Sequence, residues 1–217
     1  AQGSSSIIMQ NNKCKICRRL GVKLFLKGEK CLSPKCPLLK KPYPPGMKKK
    51  RRPAALSEYG KELREKQKLR NWYNLRERQL RKYVKDILKR RGKVEDASGL
   101  LIQKLESRFD NVILRLGLTN SRAQARQNVS HGHFLINGRP VNLPSYQLKK
   151  GDKITINPAY QKSKAFSNLT PLLKKHQAPF WLKLNAENLE GEVIGVPTLE
   201  EAAPPAEIST IFEYYSR

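Results

Sequence analysis

Acidic side chains are scarce in this sequence. Its 217 residues hold 18 Asp and Glu against 44 Lys and Arg, a formal net charge of +26 and a pI near 10.2. That balance is wrong for an ordinary cytosolic enzyme and right for a chain whose partner is a polyanion. Apolar residues are also few, at 38% against the ~45–50% of ordinary globular domains, so the core is modest or divided. No stretch approaches the roughly 18 apolar residues of a membrane span. Ile7-Ile8-Met9 is too short for a secretory h-region and no basic residue precedes it, so export by that route is not expected. No acidic pair, Ser/His/Asp set or Gly-rich phosphate loop stands out, and no solenoid-length repeat is visible. The length allows one or two domains.

What charge there is runs unevenly. Residues 1–52 carry 15 basic side chains and one acidic, residues 53–97 carry 14 and 7, residues 98–165 carry 11 and 3, and residues 166–217 carry 4 and 7. One basic run is usually a solvated face. An excess sustained to residue 165 repels itself in the free protein and calls for an anionic partner. The last segment would be repelled by phosphate.

The pattern predicts an α+β chain. Residues 1–12 read as a disordered arm. Residues 13–52 form a cysteine module and a linker, in which Pro42-Tyr43-Pro44-Pro45-Gly46 precedes the unbroken run Lys48, Lys49, Lys50, Arg51, Arg52. Residues 53–99 are helical. Ser57 caps one helix to about Leu69, and Asn74 with Glu77 makes a capping box for a second. The second has Leu80, Tyr83, Val84, Ile87 and Leu88 on one side and Arg78, Arg81, Lys82, Lys85 and Lys89 outside. Residues 100–165 form a small module. One buried helix is expected from Leu100 to Leu116 and a short one from Arg122 to Ser130, capped by Ser121. Strands are expected at Phe134–Ile136, Val141–Leu143 and Lys153–Ile156, with Asn137-Gly138 as a hairpin turn. Residues 166–217 form a C-terminal segment with an acidic tail, and strands are expected at 180–182 and 192–196.

Cys14, Cys17, Cys31 and Cys36 form two close pairs across a short loop, the arithmetic of a tetrahedral thiolate site. Lys13, Lys15, Arg18 and Arg19 would lower the thiol pKa values and favour metal binding. About 25 residues with few large apolar side chains cannot fold alone, whereas structural zinc contributes on the order of 10–16 kcal/mol. The expected cofactor is one Zn2+, with a 4Fe-4S cluster as the alternative.

In the module near 100–160, Arg108 and Arg115 are seven apart on one edge of the buried stripe, and Arg122 and Arg126 are four apart on the next helix. Gln124, Gln127 and Asn128 add amides, while His131, His133 and Arg139 bracket the strand and its turn. Guanidinium forks grip phosphates, and amides and imidazoles reach 2′-hydroxyls and base edges. With a helix N-terminus at Ser121, these groups favour an anion site. The histidines lack metal-ligand company.

The stretches Glu106-Ser-Arg-Phe-Asp-Asn-Val, Arg115-Leu-Gly, Ser121-Arg-Ala-Gln-Ala-Arg-Gln, His131-Gly-His and Ile136-Asn-Gly resemble the RNA-binding domain named after the fourth protein of the small ribosomal subunit. Cys14-Lys-Ile-Cys-Arg-Arg, Lys23-Leu-Phe-Leu-Lys-Gly, Pro42-Tyr-Pro-Pro-Gly, Tyr59-Gly, Leu63-Arg-Glu-Lys-Gln-Lys-Leu-Arg and Tyr214-Tyr-Ser-Arg are similar to the bacterial ribosomal family itself. The resemblance covers nearly the whole chain from residue 13. It implies a primary binder of small-subunit ribosomal RNA at a helical junction of the 5′ domain, acting early in assembly. It also implies a place beside the messenger entry channel and two neighbouring ribosomal proteins, in the cytoplasm, with cysteines that hold zinc or an iron–sulfur cluster. The RNA contacts it implies are Arg108, Arg115, Ser121, Arg122, Arg126, Gln127, His133 and Arg139, with further phosphate contacts from Lys48 to Arg52 and from Arg78, Arg81, Lys82 and Lys85. The chain departs from the family pattern at Arg76, at Leu199 and over Ala202-Ala-Pro-Pro.

Two other classes fit less well. The same small domain is appended to RNA-modifying enzymes, but here no stretch is left to form a second, catalytic domain. A zinc-dependent DNA-binding regulator would need a recognition helix with a dimerisation stripe, and none is evident.

Overall fold

The computed structural model describes residues 13–46, 55–90, 96–161, 163, 166, 169–173 and 176–216, with residues 170 and 172 as backbone alone. The expected arm at 1–12 and the run Lys48 to Arg52 lie outside the described residues. The chain divides into two compact units, residues 1–94 with 204–217, and residues 95–203. In sequence, the second is an insert in the first.

The first unit begins with three short helices, α1 (residues 13–20), α2 (Glu29–Leu32) and α3 (Pro37–Lys40). Two longer ones follow, α4 (Glu58–Trp72) and α5 (Glu77–Leu88). Ser57 caps α4 as expected, its Oγ accepting from the Gly60 N–H at 3.2 Å. The expected cap at Asn74 does not form. Asn74 sits in the α4–α5 turn at φ 53, a left-handed conformation that asparagine tolerates, and α5 starts after Arg76, whose N–H donates to Gln79 Oε1 at 3.3 Å. Leu80, Val84 and Ile87 are buried, while Arg78, Arg81, Lys82 and Lys85 are exposed.

The second unit holds α6 (Ala97–Glu106), α7 (Phe109–Arg115) and α8 (Arg122–Ser130), then β1 (Phe134–Ile136), β2 (Arg139–Pro140) and β3 (Lys153–Ile156). It continues through α9 (Leu169–Leu173), β4 (Leu182–Asn185), β5 (Glu190–Val193) and α10 (Leu199–Ala202). The single helix expected from Leu100 to Leu116 is two. Arg108 takes extended backbone (φ −65, ψ 136) and breaks it. The amides freed at the start of α7 find other partners: Phe109 N–H donates to the Tyr146 carbonyl at 2.9 Å and Asp110 N–H to that of Pro144 at 3.2 Å. Tertiary contacts thus replace the helical ones, and Leu105, Phe109, Val112, Ile113 and Leu116 stay buried across the break.

The five strands form one antiparallel sheet in the order β2-β1-β3-β5-β4. Asn137 (φ 50) and Gly138 (φ 78) make the hairpin turn. The second strand lies at Arg139–Pro140 rather than Val141–Leu143. In place of the strands expected at 180–182 and 192–196, the structure has β4 at 182–185 and β5 at 190–193, which share only residue 182 and residues 192–193 with them, and β5 pairs with β3 through Ile154 opposite Gly191. Residues expected in a separate C-terminal segment therefore complete this sheet, and the unit runs to residue 203 instead of 165. Phe134, Ile154, Trp181, Leu182 and Val193 pack with the α7 stripe in its core.

The chain then returns to the first unit as α11 (Ile208–Ser216), which buries Ile208, Ile211, Phe212 and Tyr215 against α4 and α5. Tyr215 donates its hydroxyl hydrogen to Glu77 Oε1 at 2.7 Å, and Lys66 Nζ donates to the same oxygen at 2.9 Å. Burial works to raise the Glu77 carboxyl. The hydrogen bonds from Tyr215 and Lys66, with the charges of Lys66 and Arg70, overcome it and hold the group below the usual glutamate value. The fold class is α+β, as expected.

Candidate nucleic-acid interface

The break between α6 and α7 organises the arginines of the second unit. Arg108, expected with Arg115 on one edge of the buried stripe and as an RNA contact, is 1% exposed. Its Nε and Nη2 donate to Asp110 Oδ1 and Oδ2 at 3.1 and 2.9 Å. The extended backbone at the break turns this side chain inward, and a buried guanidinium needs a carboxylate beside it. The expected reach of Arg108 to RNA is corrected accordingly: its side chain is an internal partner of Asp110. Arg126 approaches the same Asp110 from α8, with Nη1 3.8 Å from Oδ2, and is one-third exposed.

A second path starts at Arg115. Its Nε and Nη2 donate to Glu106 Oε2 and Oε1, both at 2.9 Å, and Nη2 also reaches the Ala202 carbonyl at 3.0 Å. Glu106 is wholly buried and accepts a further hydrogen bond from Asn111 Nδ2 at 2.7 Å. Asn111 Oδ1 in turn accepts from Arg122 Nε at 3.0 Å. The four arginines therefore fall into two groups, Arg108 with Arg126 at Asp110 and Arg115 with Arg122 on Glu106 and Asn111, whose anchors Asp110 and Asn111 are chain neighbours, and four positive charges face two negative. Arg115, Arg122 and Arg126 are half-buried; Arg115 spends its Nε and Nη2 inside the protein, Arg122 is oriented by its Nε bond to Asn111, and Arg126 stands within ion-pair distance of Asp110, so Arg122 and Arg126 keep donors for phosphate.

Sequence reasoning missed the three anchoring residues. A signal existed: two of the only three acidic residues between 98 and 165 stand at positions 106 and 110, beside the apolar stripe. Charged residues in such places pair internally.

The other expected contacts are scattered around this cluster. Ser121 Oγ accepts from the Gln124 N–H at 3.3 Å and so caps α8. Gln127 and Arg139 are exposed. His133 is half-buried, its ring 4.4 Å from that of Tyr160 and edge-on to Phe166 at 5.8 Å. Burial, and then the nearby His131, lower its pKa. Arg78, Arg81, Lys82 and Lys85 lie on the exposed side of α5 in the other unit.

In that unit Cys14 and Cys17 are on α1, Cys31 is in α2 and Cys36 precedes α3. All four are free thiols and line one cavity of about 10 Å³. Lys27 N–H donates to Cys31 Sγ at 3.3 Å. Among the described residues no group of three or more His, Cys, Asp and Glu side chains is gathered tightly enough to hold a metal ion, so the thiols share a cavity without closing into a ligand set. The expected lowering of the thiol pKa values is reversed at Cys17. Burial raises it, and the neighbouring Cys31, Cys14 and Cys36 add to the rise against a hydrogen bond from the Leu24 backbone. The cationic side chains around it do not offset the loss of water.

Comparison with known proteins completes the description. Residues 9–106 match the model of the ribosomal protein S4/S9 N-terminal domain, and residues 107–154 match that of the S4 domain. Small ribosomal subunit protein uS4 of Caldicellulosiruptor bescii is 44% identical over 204 residues, 94% of this chain and 96% of that protein. The uS4 proteins of Thermus thermophilus and Dictyoglomus turgidum are 42% and 45% identical, with the same shares covered.

Proposed function

Since the chain belongs to the small ribosomal subunit protein uS4 family, we infer that it works as a structural, RNA-binding component of the small ribosomal subunit. It is not an enzyme. The observation that carries the RNA reading is the arginine cluster of the second unit, in which buried Glu106, Asp110 and Asn111 hold guanidinium groups at the surface of a strongly basic chain. Phosphate contacts from such a cluster position a protein on folded RNA. In the finer reading, cationic surface on each unit engages a different RNA helix of a 5′-domain junction and fixes their angle early in assembly. Partners are small-subunit ribosomal RNA, neighbouring ribosomal proteins and messenger RNA near its entry channel, and the setting is the cytoplasmic ribosome. Among the described residues no helix is long and apolar enough to cross a membrane.

Filter binding to small-subunit ribosomal RNA, transfer RNA and duplex DNA at several salt concentrations tests this. The expected result is a preference for ribosomal RNA with a steep salt slope. Arg122→Ala with Arg126→Ala should lower affinity while the fold persists. Equal affinity for all three nucleic acids would reduce the protein to a generic polycation.

We also propose that Cys14, Cys17, Cys31 and Cys36, which share a cavity without being closed into a ligand set, draw together around a single Zn2+, with a 4Fe-4S cluster as the alternative. Bound there, zinc would supply a structural cross-link among α1, α2 and α3, a segment whose few buried apolar groups are Leu20 at the end of α1 and Leu24 in the connection to α2, beside the cysteines themselves. Metal analysis of anaerobically purified protein should find about one zinc per chain by the four-thiolate stoichiometry, and less in Cys17→Ser. Metal-free protein would remove the site, and iron with acid-labile sulfide would replace zinc by the cluster.

A further inference from the structure

Resting on the RNA reading above, we propose that Asn111 is a positioning residue for that site, whose side chain sets the orientation in which Arg122 meets RNA phosphate. Asn111 is 2% exposed and cannot touch RNA itself. Both ends of its amide are committed: Nδ2 donates to Glu106 Oε2 at 2.7 Å and Oδ1 accepts from Arg122 Nε at 3.0 Å. Because Glu106 is a pure acceptor, it fixes which end of the amide is nitrogen, and so presents oxygen to the arginine. Glu106 is itself locked by the two-pronged pair with Arg115. The chain of contacts thus runs from a wholly buried carboxylate, through an amide of defined polarity, to a half-buried guanidinium on a different helix. A guanidinium donates to phosphate in the plane of its fork, so the angle of that plane decides whether two bonds can form or one.

The test is a double-mutant cycle on the full chain, with affinity for small-subunit ribosomal RNA as the readout and thermal unfolding recorded in parallel. Asn111→Ala should weaken binding roughly tenfold, within the range for directly contacting pairs. Arg122→Ala should weaken it at least as much and lower the salt slope by about one, the value for one lost phosphate contact. The double variant should bind no worse than Arg122→Ala alone, because a residue that acts through Arg122 has nothing left to act on. A purely structural Asn111 would lower affinity by the same factor in both backgrounds, and additive losses would overturn the proposal. Unchanged affinity in Asn111→Ala would overturn it too. Unchanged affinity in Arg122→Ala would instead remove the RNA reading of this cluster. If Asn111→Ala fails to fold, Asn111→Ser carries the same cycle: its hydroxyl retains polarity beside Glu106 but is too short to span to Arg122.

Discussion

Glu106→Gln removes one charge and almost no volume, and the cost can be worked from three hydrogen bonds. Arg115 Nε and Asn111 Nδ2 both donate to Oε2, and Arg115 Nη2 donates to Oε1. A glutamine offers one acceptor oxygen and one NH2 group, so in either orientation at least one donor faces another donor. Breaking a buried ion pair from one side costs about 3–5 kcal/mol. Arg115 is 22% exposed and recovers some hydration, whereas Glu106 is 1% exposed, which brings the expected loss to about 2–4 kcal/mol. Against a domain stability of about 5–15 kcal/mol this is large. Trp181 reports on the second unit and Trp72 on the first, so urea unfolding followed by fluorescence in a Trp72→Phe background isolates the effect. The midpoint should fall with the slope unchanged. A loss below about 0.5 kcal/mol, the range of ordinary surface substitutions, would refute the reasoning and mean that Glu106 does not organise the cluster.

Three further outcomes are expected. A Cβ on Gly191 would sit against the isopropyl group of Leu116, which is wholly buried; Gly191→Ala should therefore cost about 1–3 kcal/mol, and Leu116→Val should restore part of it in the same urea assay. Glu77 has a depressed carboxyl pKa in the fold, so its contribution is present above the unfolded value of 4.5 and is lost as pH falls through the folded one. Tyr215→Phe should cost about 1 kcal/mol near neutral pH and flatten that acid loss, as read by helical circular dichroism of thermal unfolding at pH 3 to 7. His133 also has a depressed pKa, which for a base means that the fold favours the neutral ring. Its contribution is complete above 6.5 and declines below it, so the second unit should melt lower at pH 5.5 than at 7.5, and His133→Phe should shrink the difference.

Elements whose signals are local were legible in the sequence. Ser57 and Ser121 cap their helices, Asn137-Gly138 turns its hairpin, and β1, β3 and α8 occupy their expected residues. The differences arise where distant contacts outweigh local preference. The apolar period from Leu105 to Leu116 runs straight through the break at Arg108, because both helices bury the same side and the loop at 144–146 takes over the freed amides. The strands expected at 180–182 and 192–196 overlap β4 only at Leu182 and β5 only at Glu192 and Val193, because the paired residues Leu-Lys-Leu-Asn and Glu-Gly-Glu-Val are not apolar runs, and nothing local says that β5 pairs with β3 nearly forty residues earlier in the chain. The basic residues of the candidate site were equally visible. Their environments were not: Arg108 is as basic in the sequence as Arg126, and only the turn of the backbone makes one an internal strut and the other a surface group.

The insertion of one unit within the other also governs the order of events during synthesis. α4 and α5 leave the ribosome more than a hundred residues before α11, which supplies Tyr215 to Glu77 and covers their shared apolar side. Until then those helices wait with an open seam, while the continuous stretch from 95 to 203 has everything needed to close its own sheet. The insert needs only its own continuous residues, whereas the host unit cannot be sealed until α11 is made. A nascent chain released before residue 208 would thus carry a finished insert on an unfinished host, a recognisable target for chaperones and proteases.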